Sequence, residues 1–534
     1  MEEIKITPNE VWAEYQSLTE YLTRNDIYNI VKKNERFYGG RQWDGVNASA
    51  IAKPIMNRLQ RIGKYQIASL CSNDVGVSIK SLSNSKAEND YLDLLAREVK
   101  DVIENAKIRE SCRLMTRNAF VDGASYALQT FDPDYETGQK SKGKIENQLV
   151  DITQMYFGNP YSNIIQKQPY IIIALRQFVG QVKEEAKDLG VANWEDINSD
   201  EDDNYDEDSE GKLCTVLLKF YKKKKKEICI KKIVDELTGE ETTIEEEKEV
   251  KTVHFVKCTR NVMLIPETDL GYTRYPIARF GWEDRRNSYL YDSPMTSNIV
   301  NQVFINKCYA YAHEYALKSA FPKIIYDQTK MDYDDFAGNL EIGVAGIDLL
   351  GKYLDFTKMP DFSNQVIQLI EQTEAEMEKN MGVNDAALGN VRPDNTSAII
   401  ALQEAAAVPL EIQRQNFYEM WEDLVRNIID IMISSYGVRQ FIKEDGEPVI
   451  VDFSMLKGLN YKLNIDIGSS AQYSEIAQMN TLNSLFSSGQ IDLETFLEAC
   501  PDKYIPGKET IKKFAEQKKE QQEQLAQAQQ LIQQ

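Results

Sequence analysis

Apolar positions recur at helical spacing over much of the chain, and the breaks in that rhythm mark where elements end. Over residues 8–37, Trp12, Tyr15, Leu18, Leu22 and Tyr28 share one helical face, and Gly39-Gly40 ends the run. A second helix is expected after Pro54, carrying Ile55, Leu59, Ile62 and Ile67. The period drops to two over Val75–Ile79, which predicts a strand. Residues 87–122 predict two amphipathic helices closed by Gly123. A strand with Tyr126, Leu128 and Thr130 follows and is expected to stop at Asp132-Pro133. This alternation predicts an α+β domain rather than a helical bundle.

Further along, Thr215–Tyr221, Ile228–Val234, Thr242–Ile244 and Val253–Val256 are β-prone, with a turn at Leu237-Thr238-Gly239-Glu240. Lys222–Lys226 lacks interleaved aromatics and has acidic flanks, so it predicts a charged hairpin tip rather than a nucleic-acid patch. Asp292-Ser293 before Pro294 is a helix start. That helix runs to Ala320, about 40 Å at about 1.5 Å per residue. Ala312, Ala316 and Ala320 recur every four residues on it, a smooth stripe that admits close approach of another helix, whether inside an ordinary core or against copies of itself. Residues 321–362 are a short mixed insert rich in Gly, Tyr and Asp. Helix is expected again over 363–381, with Val366, Leu369, Ile370, Thr373 and Met377 on one side. The 382–395 segment is too polar and broken for regular structure. A long helix over 396–436 is expected to kink at Pro409, which lacks the N–H and crowds the preceding turn. Strand character returns over 449–467. From Phe514 a Gln/Glu/Lys/Ala tail has little to bury and predicts an exposed helix or disorder.

Composition narrows the chemistry. The 534 residues allow about three or four domains, with 42% hydrophobic residues to build cores. A net charge of −22 argues against wrapping nucleic acid, which needs surplus Lys and Arg. Only His254 and His313 are present, leaving little room for His-based metal or acid–base chemistry. The cysteines, at 71, 112, 214, 229, 258, 308 and 500, include no CxxC pair, and Cys308 falls in an apolar helical pattern that predicts a buried free thiol. The start Met1-Glu2-Glu3 lacks signal-peptide character, and apolar stretches such as Ile171–Leu175 are too short to span a bilayer. The expectation is a soluble protein made in a reducing cytosol.

No motif recommends an enzyme. Gly507-Lys508-Glu509-Thr510 lacks the first glycine of a phosphate-binding loop and places Glu where the hydroxyl belongs. Gly468-Ser469-Ser470-Ala471-Gln472 lacks the second glycine of a nucleophile elbow. Glu283-Asp284 are adjacent, so their side chains diverge, and Arg285-Arg286 beside them predict a solvated salt-bridge cluster. Residues 200–210 hold eight acids and no base. An EF-hand loop from Asp206 would have Gly211 in place but Leu217 at its twelfth position, so a solvated loop is expected. No catalytic residue, metal or cofactor is therefore expected. The alternatives kept open are a metal-dependent nuclease or other packaging enzyme using the acidic run, and an acidic capsid scaffold protein.

The order of helix, small insert, helix, polar loop and kinked helix is that of stem, clip, second stem helix, tunnel loop and wing helix in tailed-phage portal proteins. Asn384-Asp385-Ala386-Ala387-Leu388-Gly389-Asn390-Val391-Arg392-Pro393-Asp394-Asn395-Thr396-Ser397 resembles the tunnel loop of portals from phages of Gram-positive bacteria. Ala398–Glu411, including Pro409, resembles the start of the helix behind it. Gly281-Trp282-Glu283 and Tyr291-Asp292-Ser293-Pro294 resemble the approach to the first stem helix. The N-terminal half matches mainly in the order of its elements.

The resemblance implies an α+β portal fold in a ring of twelve copies at one capsid vertex. Its stem and crown would be mainly helical, its clip α/β and its wing mixed. The wing would be 1–292, with a β-rich insert at about 200–260, together with 396–467. The stem helices would be 293–320 and 363–382, the clip 321–362, the tunnel loop 383–395 and the crown 468–534. Asn384, Ala387, Leu388, Gly389, Asn390, Val391, Arg392, Asp394 and Asn395 would face DNA, and Ala312, Ala316 and Ala320 would pack stem helices together. Double-stranded DNA would pass without sequence specificity. Implied partners are the terminase, major capsid and scaffolding proteins, and head-completion or adaptor proteins, with no membrane. The implied place is the virion, and the host cytoplasm during assembly. Portals of the family do not hydrolyse ATP.

Overall fold

Thr7 starts the first helix, α1 (Pro8–Arg24). Its Oγ1 accepts the Glu10 N–H at 3.4 Å while the Glu10 carboxylate accepts the Thr7 N–H at 3.0 Å. The structure is a computed structural model that describes residues 6–47, 51–72, 75–81, 86–136, 142–200, 212–234, 241–320, 324–327, 341–344, 354–356, 363–383, 408–442, 448–457, 461–467, 482–491, 496 and 500. The single helix expected over 8–37 is two. Asn25 donates its side-chain N–H back to Tyr21 O at 2.9 Å, and Asp26 takes a φ of 56° before α2 (Ile27–Tyr38).

Next come α3 (Arg58–Cys71), capped by Asn57, then β1 (Val75–Ser81), α4 (Lys86–Asn105) and α5 (Ile108–Asp122). The helix expected from Pro54 thus starts four residues later, and Ile55 lies outside it, exposed. β2 (Ala124–Glu136) runs past Asp132-Pro133 instead of stopping there. Its register against β3 (Lys142–Asp151) shifts between Asp132 and Glu136, and such an irregularity accommodates a residue with no N–H to give.

A five-stranded sheet follows, in the order β4 (Met155–Phe157), β5 (Tyr170–Phe178), β6 (Leu213–Val234), β7 (Glu241–Cys258) and β8 (Met263–Asp269), with α6 (Val179–Asp188) between β5 and β6. Ile171–Leu175, too short for a membrane, forms the inner part of β5, and Ile171, Ile172 and Ile173 are buried. The four β-prone runs are two continuous strands. Val234 pairs with Glu241 at one end and Leu217 with Cys258 at the other, so Lys222–Lys226 lies in the middle of the hairpin, not at its tip. Alternating cross-strand neighbours satisfy the lysines there, which local patterning does not reveal.

β9 (Ile277–Gly281) joins β2 and β3 in a second sheet, ordered β3-β2-β9. The short pair β10 (Glu283–Asp284) and β11 (Tyr291–Asp292) leads into α7 (Pro294–Ala320). Ser293 Oγ accepts the Met295 N–H at 3.1 Å and donates to Phe120 O at 2.7 Å, so the cap also ties α7 to α5. Between α7 and α8 (Asn364–Asn380), the described parts of the insert form a three-stranded sheet. Its order is β13 (Glu341–Val344), β12 (Ile324–Asp327), β14 (Leu354–Phe356). After the 3-10 turn Val408–Leu410 come α9 (Glu411–Ser435), the hairpin β15 (Val438–Ile442) and β16 (Pro448–Asp452), and β17 (Tyr461–Ile467), which pairs with β1.

Two units compose the chain. One is Met1–Ser72 with Val77–Ile465; the other is Asn73–Gly76 with Asp466–Gln534. The first has an aromatic core in which Phe120, Tyr126, Phe157, Phe280, Tyr289 and Trp421 are fully buried. Phe280 meets Phe417 edge-on at 5.9 Å, which seats α9 on β9. Asp430 of α9 accepts the backbone N–H groups of Thr273 and Arg274 at 2.8 and 2.9 Å, and Arg274 reaches Asp423 at 2.6 Å. In the second unit, residues 482–487 are helical and the Phe486 and Phe496 rings lie 4.9 Å apart. The acidic run beyond Asp200, the 384–395 segment and the tail from Phe514 lie outside the described residues.

Candidate channel and assembly site

Asn298, Gln302 and Asn306 stand four residues apart on α7, and all three are buried. A buried amide destabilises unless its donors and acceptors are met. Gln302 Oε1 accepts the N–H groups of Arg58 and Leu59 at 2.9 and 3.3 Å, and its Nε2 donates to Met56 O at 2.7 Å. It therefore helps to satisfy the first turn of α3 from a different helix. Asn306 Oδ1 accepts the Met56 N–H at 3.1 Å, and its Nδ2 donates to Gln42 Oε1 at 2.5 Å. Asn298 donates to Pro294 O, in the first turn of α7 itself, at 2.9 Å.

The second helix of the pair is fastened to the same place. Arg58 donates to Glu374 of α8 through Nε at 3.0 Å and Nη2 at 2.9 Å, a two-point contact that holds orientation as well as distance. At the end of α8, the Gly382 N–H reaches Lys379 O and the Val383 N–H reaches Glu378 O, each at 2.9 Å. This closure needs the left-handed residue that Gly382 supplies, at φ +71°. Gly382 also sits so close to Pro409 that a Cβ on it would lie 2.9 Å from the proline Cβ. The two ends of the 384–407 span are thereby brought together.

Past Asn306, α7 still buries Cys308 and Ala310, but much of its remaining length is exposed. Ala312 is half-buried, and Ala316 and Ala320 are exposed, so the alanine stripe is open in the single chain. Tyr311 is 60% exposed, and Leu317, with Ile367 and Leu369 on α8, is also uncovered. Asn384, Ala387, Leu388, Gly389, Asn390, Val391, Arg392, Asp394 and Asn395 lie outside the described residues. Pro409 belongs to the 3-10 turn that starts α9, and the residues before Val408 lie outside the described ones.

A family model described as phage P22-like portal protein matches residues 18–534. The chain belongs to that family. No curated protein matches it. Portal proteins are structural, and among the described residues no group of three His, Cys, Asp or Glu side chains is placed to hold a metal, and no helix is long and apolar enough to cross a membrane.

Several charged side chains of this portal chain pair with one another. Lys224 pairs with Glu249 and Lys225 with Asp269, both at 3.0 Å, and Lys223 pairs with Glu267. Lys222 lies over the Tyr275 ring at 4.6 Å, and burial, with Arg274 and Lys251 nearby, brings its ammonium down to about 8. His254 Nδ1 lies 2.9 Å from Glu267. Asp200, the one described member of the acidic run, accepts the Thr215 N–H at 2.5 Å. Glu283 and Asp284 are exposed, and Arg285 pairs with Asp292. Asp122, at the end of α5, is pushed up to about 8 by burial and by the Glu35 carboxylate, and Arg117 opposes the shift.

The sequence reading missed the root itself. A signal was present: Asn298, Gln302 and Asn306 place an amide every four residues on one helical face of a largely apolar stretch. The counterparts Gln42 and Arg58 carry no such pattern.

Proposed function

We propose that the chain is the ring-forming subunit of a phage portal vertex, the channel through which double-stranded DNA is packaged and ejected. The observation that supports this beyond family membership is the contrast along α7: a root fixed by buried amides, then an exposed alanine stripe flanked by Tyr311 and Leu317. A long helix in water keeps such a surface for another helix to cover. In this reading α7 and α8 are the stem, 321–362 the clip that meets terminase and then head-completion proteins, and 468–534 the crown. The rest of the chain forms the wing, and 384–395 lines the bore. At −22 per copy the assembly is strongly acidic, which suits a duplex that must slide without sticking.

Native mass measurement and negative-stain imaging of the purified full chain should give a closed ring of about twelve copies; a stable monomer at micromolar concentration overturns the reading. Arg392 is the cation of the proposed bore segment and would meet phosphates only transiently. Arg392→Ala should leave rings and proheads intact while altering DNA packaging or retention, with Arg392→Lys milder. Unchanged packaging in Arg392→Ala would assign that side chain to shaping its own segment, beside Asp385 or Asp394.

A further inference from the structure

Charge is distributed unevenly along the chain. Residues 24–71 hold nine Lys and Arg against three Asp and Glu, a net of +6, which leaves 53 against 81 and a net of −28 for the rest. Two of the three acids are engaged, Asp26 accepting Asn29 at 2.6 Å and Glu35 accepting Arg117 at 2.7 Å. Arg24 and Arg58 are held by Glu20 and Glu374. Lys32 and Lys33 on α2, Arg41 and Lys53 between the helices, and Arg61 and Lys64 on α3 are exposed, with Asp44 the acid among them. α2 and α3 both pack on α5 and α7, so their exposed cations lie on the outward sides.

The connection between α2 and α3 folds back on itself. Trp43 Nε1 donates to Pro54 O at 2.8 Å and Lys53 Nζ to Val46 O at 2.9 Å, which brings exposed Val46 beside exposed Ile55 and Met56. The result is an apolar centre rimmed by cations, the make-up of a protein-binding surface. A phosphate backbone makes no use of the apolar centre, and a chain of −28 elsewhere repels it. An acidic protein surface with apolar side chains of its own suits the patch.

α6 supplies such a surface. Glu184 and Asp188 are exposed one turn apart, Glu195 and Asp196 follow, and exposed Phe178 and Leu189 stand at its two ends. Lys187 is drawn over the Trp194 ring at 4.0 Å. α8 also exposes Ile367, Leu369 and Glu371, but Arg58 already lays α3 against α8 within one copy through Glu374. α6 instead packs on β5 of the five-stranded sheet.

We propose that the α2–α3 patch of one copy binds the α6 surface of the next. Two different patches in head-to-tail contact repeat around an axis and close a ring where the rotation permits. This rests on the ring reading, and it adds a charge-driven contact in the wing to the helix contact along α7.

The test reads ring yield by native mass measurement on the purified full chain, with melting temperature as the check on folding. Arg61→Glu with Lys64→Glu is expected to lower ring yield several-fold at an unchanged melting temperature, and so is Glu184→Lys with Asp188→Lys. All four substitutions in one chain should restore rings, because the two surfaces then exchange sign. Parent rings should form less readily as salt rises from about 0.1 M to about 1 M, where the screening length falls from about 10 Å to about 3 Å. A parent that stays monomeric at low salt overturns the ring reading itself. Normal ring yield in both paired variants, or no rescue by all four changes, leaves that reading standing and overturns this contact. If a paired variant melts early, the salt series decides, and parent rings insensitive to salt sink the proposal. If Arg61→Glu with Lys64→Glu assembles normally but no longer binds a DNA duplex that parent rings hold, the patch serves nucleic acid and the proposal is wrong.

Discussion

The aromatic core around Trp421 and the α7–α8 pair are built on opposite principles. In the core, Phe120, Phe280, Phe417 and Trp421 come from three separate stretches of chain and bury one another, so that region is complete within one copy. The helix pair is fastened at one end by amides and one ion pair, and farther along it leaves Tyr311, Leu317 and its alanines uncovered. The first arrangement gets its stability from apolar area removed from water. The second gets direction from hydrogen bonds and leaves its apolar area for a neighbour. One region closes on itself, and the other stays partly open in the single chain.

The sharpest break in that comparison comes from emptying the core. Trp421→Ala should cost about 3–5 kcal/mol, since a large fully buried ring leaves a cavity that a packed interior fills only in part. Denaturant unfolding should show it, and a loss below about 1 kcal/mol would mean the core has slack. On the helix pair the same scale of steric change should act on assembly instead. Ala312→Trp and Ala316→Trp should leave the single chain folded, because Ala316 is exposed and Ala312 only half-buried. Overpacking a close helix contact costs roughly 1–3 kcal/mol, so rings should become scarce by native mass measurement. Normal rings in both variants would show that the stripe faces something other than a copy.

The last expected effect depends on pH and lies at Asp122, at the end of α5. Its folded carboxyl titrates near 8 against an ordinary 3.8, so folding favours the protonated acid. Stability from this group is complete below the ordinary value and is lost as pH rises from about 4 to about 8. Asp122→Asn removes that dependence. The variant should match the parent near pH 4 and become the more stable of the two as pH rises to 8. Melting curves across that range decide it, and equal curves at every pH would mean that Asp122 stays ionised and solvated.

How much was legible depended on how local each signal is. The end of α5 and the start of α7 followed from Gly123 and Ser293-Pro294, because a helix end needs its partner within a few residues. The break at Asn25-Asp26 was hidden, because no glycine or proline marks it and Asp26 itself takes the left-handed φ of 56°. The lysine run was misplaced for another reason. Five lysines in a row are tolerable in mid-strand only when acids stand beside them, and Glu249, Glu267 and Asp269 lie 25–44 residues away.

By itself the sequence determined the α+β class, the order of most elements and the portal family, because periodicity, caps and motifs are short-range properties of a chain. Only the tertiary structure decided that Gln302 caps α3, that Arg58 clamps Glu374 and that Gly382 rests on Pro409. Those partners are separated by 244, 316 and 27 residues respectively, and nothing in local spacing says which buried amide or charge will find which acceptor once the core has closed around it.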